Sequence, residues 1–262
     1  MESKDREILK YIMNRRSVRV YEDREVPEEI KEKLYSAIFQ APTAGNMMMY
    51  SIIEVEDQKL KDKLIKTCDN QAMIGKAPLV LLFLADFQRW MDYVKFSGTE
   101  EFNREHNLEE YIPGEGDMML AINDTLIAAQ TGVLAAEELG LGSCYIGDIM
   151  ENFEIHREMF NLPKYAIPIT MLCIGYPTEQ QKNRKMVRRY FTKDMVVHKN
   201  SYRKVTDEEF ENMDREIAEK DKTVFLPGCH NEGLHMYKRK IISDFMKEMN
   251  RSVKEMINSW SR

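Results

Sequence analysis

The stretch Arg15-Arg16-Ser17-Val18-Arg19 brings three guanidinium groups and a hydroxyl together, directly after a predicted amphipathic helix. In an extended segment, alternate residues point to the same side, so Arg15, Ser17 and Arg19 would face one ligand together. Arginine keeps its charge and donates in a rigid fork that matches phosphate oxygens. The stretch therefore predicts a phosphate-binding clamp. A solvated basic loop is the alternative.

Two further segments are rich in small residues. Ala41-Pro42-Thr43-Ala44-Gly45-Asn46 follows a predicted helix, and its few bulky side chains would leave backbone N–H groups open to a ligand. Gly140-Leu141-Gly142-Ser143-Cys144-Tyr145-Ile146-Gly147 follows a second, longer predicted helix. The latter is no dinucleotide fingerprint, because its first glycine ends a helix and its third comes late. We expect Gly140 to end the helix, with a turn then carrying Tyr145 to Asp148 inward.

These segments and Ala77-Pro78, which stands at the start of an apolar run, follow one another in an order that resembles the FMN-dependent nitroreductase family. The resemblance extends over residues 8–202. It is closest to the larger NADPH-using nitroreductases and flavin reductases, which carry a C-terminal extension and a segment similar to Val197-His198-Lys199-Asn200-Ser201-Tyr202.

The resemblance implies an α+β fold with three layers, α/β/α. A central mixed sheet would be flanked by helices, with a long central helix at a homodimer interface. We expect an FMN-binding domain over residues 1–202 and a helical C-terminal extension over residues 203–262.

FMN carries close to two negative charges and a flat ring system, so its site needs cations at one end and small or apolar groups at the other. Arg15, Ser17 and Arg19 would hold the phosphate and the ribityl chain. A basic residue from Arg188-Arg189 would join them. The sequence does not decide which of Arg184, Lys185, Arg188 and Arg189 contacts the phosphate.

The ring would lie against Pro42-Thr43-Ala44. By resemblance, Asn46 and Gln71 contact its heteroatoms, and the backbone of Tyr145-Ile146-Gly147 passes over one ring face. Met48-Met49-Tyr50 stands where the family usually has Gln, Pro and Trp, so one hydrogen bond to the ring is expected to be missing. The predicted cofactor-binding residues are Arg15, Arg16, Ser17, Arg19, Pro42, Thr43, Ala44, Asn46, Gln71, Tyr145, Ile146, Gly147, Arg188 and Arg189.

Hydrophobic periodicity predicts the main elements. A first helix carries Ile8, Leu9, Tyr11 and Ile12 on one face. The remaining predicted helices cover residues 28–41, 57–65, 117–139, 155–160, 207–219 and 234–260, and the strands cover 50–55, 78–85 and 167–175. The helix over 117–139 is apolar on more than one face, which favours a second subunit as part of its cover. Burial within one subunit is the alternative.

Composition excludes several classes of partner. The net charge of −6 and the pI near 5.6 argue against nucleic acid and anionic lipid, so we expect a small-molecule electron acceptor. No apolar run is expected to reach the ~20 residues that span a bilayer, and Met1–Arg6 lacks a signal peptide's apolar stretch. We therefore expect a cytoplasmic protein without membrane partners.

No metal site is predicted. The four cysteines are far apart without a CxxC pair, and Cys229-His230 with His235 lacks a fourth ligand.

No catalytic side chain is predicted either, since the chain lacks a G-x-S-x-G elbow and an HExxH motif. That absence is expected of a flavoenzyme, whose chemistry resides at FMN N5. The resemblance implies hydride transfer from NADH or NADPH through bound FMN to nitroaromatics, quinones or free flavin. Alternatives are a flavoenzyme for one metabolite, of dehalogenase or enoate-reductase type, a flavin-binding carrier or sensor without turnover, and an anion-regulated scaffold without flavin.

Overall fold

A computed structural model describes residues 7–221 and 223–261. The prediction made for Met1–Arg6 lies outside the described residues. The helices are α1 (Glu7–Asn14), α2 (Glu28–Ile38), α3 (Gln58–Thr67), α4 (Met73–Lys76), α5 (Gln88–Phe96), α6 (Thr99–His106), α7 (Glu115–Glu138), α8 (Phe153–Met159), α9 (Glu179–Lys182), α10 (Lys193–Val196), α11 (Asp207–Asp221), α12 (Glu232–Met236) and α13 (Asp244–Ser261). The strands are β1 (Tyr50–Glu54), β2 (Leu79–Asp86), β3 (Gly142–Ile146) and β4 (Ala166–Gly175).

Within the described residues the four strands form one sheet in the order β1-β2-β4-β3. Neighbouring strands are antiparallel, and a parallel bridge between Ser17 and Ser143 makes the sheet mixed. β2 and β4 are buried along their whole length because both lie in the middle of the sheet. One apolar cluster joins the sheet to α2 and α7, and another joins its opposite face to α3 and α4. The predicted three-layer α/β/α fold is confirmed.

Local sequence signals explain where one helix begins and where another ends. The Asp57 carboxylate accepts a hydrogen bond from Lys59 N at 2.8 Å and so caps α3 at its N-terminus. Gly140 has φ of 74°, a left-handed conformation that glycine adopts without steric cost, and it follows α7 as predicted.

Two predicted segments differ from the structure. The segment expected to form a turn after Gly140 is strand β3, which pairs with β4 from Gly142 opposite Gly175 to Ile146 opposite Met171. Its Gly, Ser and Cys residues have weak strand propensity, so pairing with the edge of β4 determines its conformation. The helix expected over 234–260 is divided into α12, a π-helical turn over Tyr237–Ile241 and α13.

Helix α7 is long and apolar enough to cross a membrane by length and composition alone, contrary to the sequence expectation. However, 44% of its most apolar window is buried within the chain. Asp124 and Thr125 lie in the middle of the helix, are buried, and form hydrogen bonds to other parts of the fold. These are features of the central helix of a globular protein.

The other side of α7 leaves large apolar side chains in solvent. Met119, Leu120, Leu126 and Ile127 are 53%, 47%, 43% and 41% exposed. The two pairs are seven residues apart, so they form one stripe along the helix, with the exposed Asn123 between them. The predicted apolar face of α1 is also exposed, including Ile8 and Leu9. Exposed apolar surface of this kind is typical of interaction sites and of ligand-binding grooves.

The described residues fall into two compact units. The first contains the sheet and comprises residues 7–184 and 248–261. The second comprises residues 185–221 and 223–247. In the second unit, Arg188 forms ion pairs with Asp221 and Glu216 at 2.7 and 3.1 Å. These limits differ from the predicted domain boundary at 202/203, which stays a prediction.

Candidate flavin site

The clamp segment lies along the free edge of strand β3. Val18 N donates to Ser143 O at 2.9 Å, and Ser17 forms the parallel bridge to Ser143. This approach depends on Gly142, because a Cβ atom there would lie 2.4 Å from Val18 Cγ2. The segment is therefore extended at this point, as the alternation of Arg15, Ser17 and Arg19 requires.

The clamp side chains lie near Cys144 and Tyr145 of β3. Burial raises the pKa of the Cys144 thiol, while the positive charge of Arg19 and a hydrogen bond with Ser17 act to lower it. Burial likewise raises the pKa of Tyr145 to about 12, and Arg15 opposes this shift. Among the residues that the structure describes, no carboxylate lies within ion-pair distance of Arg15 or Arg19. Burial raises the pKa of the Glu137 carboxyl, and the charges of Arg15 and Arg16 oppose this shift, so one carboxylate lies in the neighbourhood of Arg15. The structure thus brings Arg15, Ser17 and Arg19 together as a group with net positive charge.

Arg16 has a different position. Its guanidinium donates to the carbonyl oxygens of Lys182 and Arg184, the latter at 2.7 Å. These bonds tie the clamp segment to the end of α9. The structure therefore does not group Arg16 with its three neighbours, and its predicted contact with the cofactor stays a prediction. Arg188 and Arg189 belong to the second unit, so their contact with the cofactor also stays a prediction.

The predicted ring-binding loop has an unusual backbone. Gly45, Asn46 and Met48 have φ of 57°, 59° and 49°. Left-handed conformations are strained for residues other than glycine and need support from their surroundings. That support comes from Asp124 on α7, whose Oδ1 accepts from Ala44 N at 2.9 Å and whose Oδ2 accepts from Met49 N at 3.2 Å.

Gln71 and the segment after β3 are joined by a hydrogen bond. Gln71 Nε2 donates to Asp148 Oδ2 at 2.6 Å, next to Gly147. Asp148 lies in a 3-10 turn over Gly147–Met150. Because the amide nitrogen of Gln71 faces the carboxylate, its carbonyl oxygen is directed elsewhere and can accept a further bond. Ile146 is fully buried, so its predicted contact with the cofactor stays a prediction.

Helix α7 forms hydrogen bonds to both the ring-binding loop and Tyr145. Tyr145 Oη donates to Gln130 Oε1 at 3.3 Å, and Asp124 holds the loop six residues earlier. Six residues correspond to about 9 Å along a helix axis. The ring-binding loop and the end of β3 are thus placed along one helix.

Residues 12–176 match the model of the Nitroreductase family. The chain belongs to this family. It is 30% identical over 198 residues to an FMN reductase [NAD(P)H] of Bacillus subtilis, which covers 75% of this chain and 74% of that protein. It is 26% identical over 211 residues to an oxygen-insensitive NADPH nitroreductase of Salmonella typhimurium, covering 80% and 81%.

The solved structure of NfrA2 from B. megaterium has the same fold as this nitroreductase-family chain. Its TM-score is 0.77 at 26% identity, and the match covers 97% of each chain. The match therefore extends over both compact units as well as the family segment. This agrees with the predicted resemblance to members that carry a C-terminal extension.

Sequence reasoning missed the residues that support the site. Asp124 and Asp148 were not predicted to have a role, although each binds a predicted site segment directly. A signal for Asp124 was visible, because it is a lone carboxylate within the apolar run of α7. Its partners lie far away in the chain, so the sequence could not show what it binds.

Proposed function

We propose that the protein is a cytoplasmic, homodimeric FMN oxidoreductase that uses NADH or NADPH to reduce nitroaromatics, quinones or free flavin. Membership of the family and relatives named FMN reductase and NADPH nitroreductase support an NAD(P)H-dependent flavin oxidoreductase. The Vibrio harveyi NADPH:FMN oxidoreductase, solved as a complex with NAD+, has the same fold at 20% identity and a TM-score of 0.76.

The residues present suit FMN. Arg15, Ser17 and Arg19 offer charged and neutral donors for a phosphate monoester, without a carboxylate in ion-pair distance of either arginine among the described residues. Ser143 is 1% exposed, and its buried Oγ has no hydrogen-bond partner in the described part of the chain. A buried hydroxyl without a partner is costly, which is consistent with a missing acceptor next to the clamp.

Bound FMN would supply reversible acceptance of a hydride at N5. The chain's own residues would bind and orient it. Arg15 and Arg19 would neutralise the phosphate. The ring would be lined by Pro42, Thr43, Ala44 and Asn46. Gln71, held by Asp148, would accept from a ring N–H through its free carbonyl oxygen.

The apolar stripe of α7 supports the homodimer. Two copies related by a twofold axis would place the stripe against itself, since such an interface uses the same surface twice. Met119, Leu120, Leu126 and Ile127 would then leave water together. The buried side of the same helix carries Asp124, so assembly and the flavin loop share one element.

The observation that carries the proposal is the positively charged group of Arg15, Ser17 and Arg19 at the edge of β3 in a member of this family. The test is an absorbance spectrum of the purified protein, followed by anaerobic addition of NADH or NADPH. We expect a flavin spectrum that bleaches rapidly. Bound flavin that is not bleached would indicate a carrier or sensor, and a colourless protein that takes up no FMN would contradict the proposal.

The kinetic mechanism is a further prediction. If both substrates use the same open face of the ring, the oxidised nicotinamide must leave before the acceptor enters. Initial rates at several fixed acceptor concentrations should therefore give parallel lines in double-reciprocal plots. Converging lines would show that donor and acceptor bind together at separate subsites.

The preference between NADH and NADPH should be modest. In the larger relatives that this chain resembles, arginines of the extension are associated with the 2′-phosphate. Here Arg203 pairs with Glu209 at 2.7 Å, and Lys238 donates to Pro227 O at 2.9 Å. Arg239 is exposed, and Lys222 lies outside the described residues.

Because these cations are few and partly engaged, we expect kcat/KM to differ less than about tenfold, or ~1.4 kcal/mol, between the two cofactors. Initial rates with each cofactor and one quinone acceptor measure the ratio. A hundredfold preference for NADPH would mean that other cations bind the 2′-phosphate.

A further inference from the structure

Asp124 is a buried carboxylate that no predicted role accounts for. It is 2% exposed and lies on the side of α7 that faces the fold. Its two oxygens accept from two backbone N–H groups, Ala44 N at 2.9 Å and Met49 N at 3.2 Å. A buried carboxylate is tolerated only where hydrogen bonds replace its hydration. These two bonds therefore account for its presence in the core.

The two N–H groups flank the strained part of the ring-binding loop. Asn46 and Met48, which have positive φ, lie between Ala44 and Met49. The carboxylate thus fixes both ends of the segment at once. A side chain with only one acceptor could fix only one end.

Carbonyl groups of the same loop are held from another direction. Trp90 Nε1 donates to Met47 O at 2.7 Å, and the Arg89 guanidinium donates to Met48 O at 2.7 Å. Helix α5 therefore binds carbonyl oxygens of the loop, while α7 binds its N–H groups. The loop is held in one conformation by side chains that lie outside it.

We propose that Asp124 is a positioning residue for the flavin, acting through the loop at Thr43–Met49. This inference rests on the proposed function, in which Thr43, Ala44 and Asn46 line the ring. The loop is built in advance in the shape that binds the ring, so that binding need not order it. Asp124 contributes both acceptors, and asparagine is not equivalent because one oxygen becomes a donor that faces an N–H group.

The test compares Asp124→Asn with Thr125→Val. Thr125 is the adjacent residue on α7 and is also fully buried, but its hydroxyl donates to Leu84 O at 3.1 Å and contacts Ala121 O, not the loop. Both variants lose a buried hydrogen bond at the same level of the helix. Thr125→Val is therefore a control for a general loss of stability.

We expect Asp124→Asn to raise the FMN dissociation constant about tenfold and to change the visible circular dichroism of FMN bound at saturation, which reports how the ring is held. Thr125→Val should lower the unfolding temperature about as much as Asp124→Asn does. Its FMN affinity should stay within about twofold of wild type, and the circular dichroism of its bound FMN should be unchanged. If Asp124→Asn is insoluble, Asp124→Ser, which is smaller and keeps one acceptor, is measured in the same way.

Two results would overturn the inference alone. One is wild-type affinity and dichroism in the Asp124 variant, and the other is an equal loss of affinity in Thr125→Val, which would mean that the effect follows stability. Wild-type protein that takes up no added FMN would instead refute the proposed function, and the inference with it.

Discussion

In the proposed homodimer, whose flavin sites lie at the subunit interface, replacing Ile127 by aspartate should give a monomer that does not retain flavin. Ile127 is 41% exposed in the single chain and lies in the apolar stripe of α7. Across a twofold interface the substitution would bury two unpaired carboxylates, each at a cost of several kcal/mol. Sedimentation velocity should give the mass of one chain, and gel filtration should separate the protein from its FMN.

The matched control is Ile155→Asp, the same change at an isoleucine of α8 that is 49% exposed. This variant should stay dimeric and yellow. Because both positions are exposed in the single chain, neither change should unfold it. A wild-type protein that sediments as a monomer with full FMN occupancy would contradict both the assembly and the location of the site beside it.

Arg19→Ala should weaken FMN binding by roughly 30- to 150-fold, equivalent to about 2–3 kcal/mol. The Arg19 side chain is exposed at the edge of β3, and in the described part of the chain no carboxylate is in ion-pair distance of it. A charge-assisted bond to phosphate would therefore replace water, not an existing partner. Equilibrium titration of the apoprotein with FMN, followed by flavin fluorescence, measures the change.

Arg24→Ala is the control for a general loss of positive charge. Arg24 is also exposed, and its guanidinium lies 3.9 Å above the Tyr176 ring, a contact within the fold. We expect its removal to alter FMN affinity by less than about threefold through long-range charge alone, since salt screens exposed charges. Unchanged affinity in Arg19→Ala would refute the role assigned to that residue.

Much of the fold could be predicted because the responsible signals are local. β2 and β4 are continuous apolar runs, and α7 has its stop signal in Gly140. β3 could not be predicted, because its residues become a strand only by pairing with β4 some thirty positions later. The prediction of a single helix over 234–260 was wrong for a related reason. The apolar pattern there is periodic enough for one helix, but the helix is interrupted near Ile242.

The site shows the same division. The alternation of Arg15, Ser17 and Arg19 predicts that they share one side, and the extended backbone beside Ser143 agrees with it. Nothing local distinguishes Arg16 from them, because its carbonyl acceptors lie 166 and 168 positions later. Asp124 is likewise 80 and 75 positions from the N–H groups that it binds. Contacts between residues so far apart in the sequence form only when the chain folds, so the local sequence does not reveal them.

Helix α7 has Asp124 on its buried side and Ile127 on its exposed side, three residues apart. If subunit contact supports the flavin loop through this helix, as the proposed enzyme implies, cofactor affinity and subunit affinity are thermodynamically linked, and the linkage is reciprocal. Whatever factor assembly adds to the binding of FMN, FMN adds to the binding of the second subunit. Dilution would therefore release the cofactor, and the apoprotein would dissociate at concentrations at which the holoprotein stays paired.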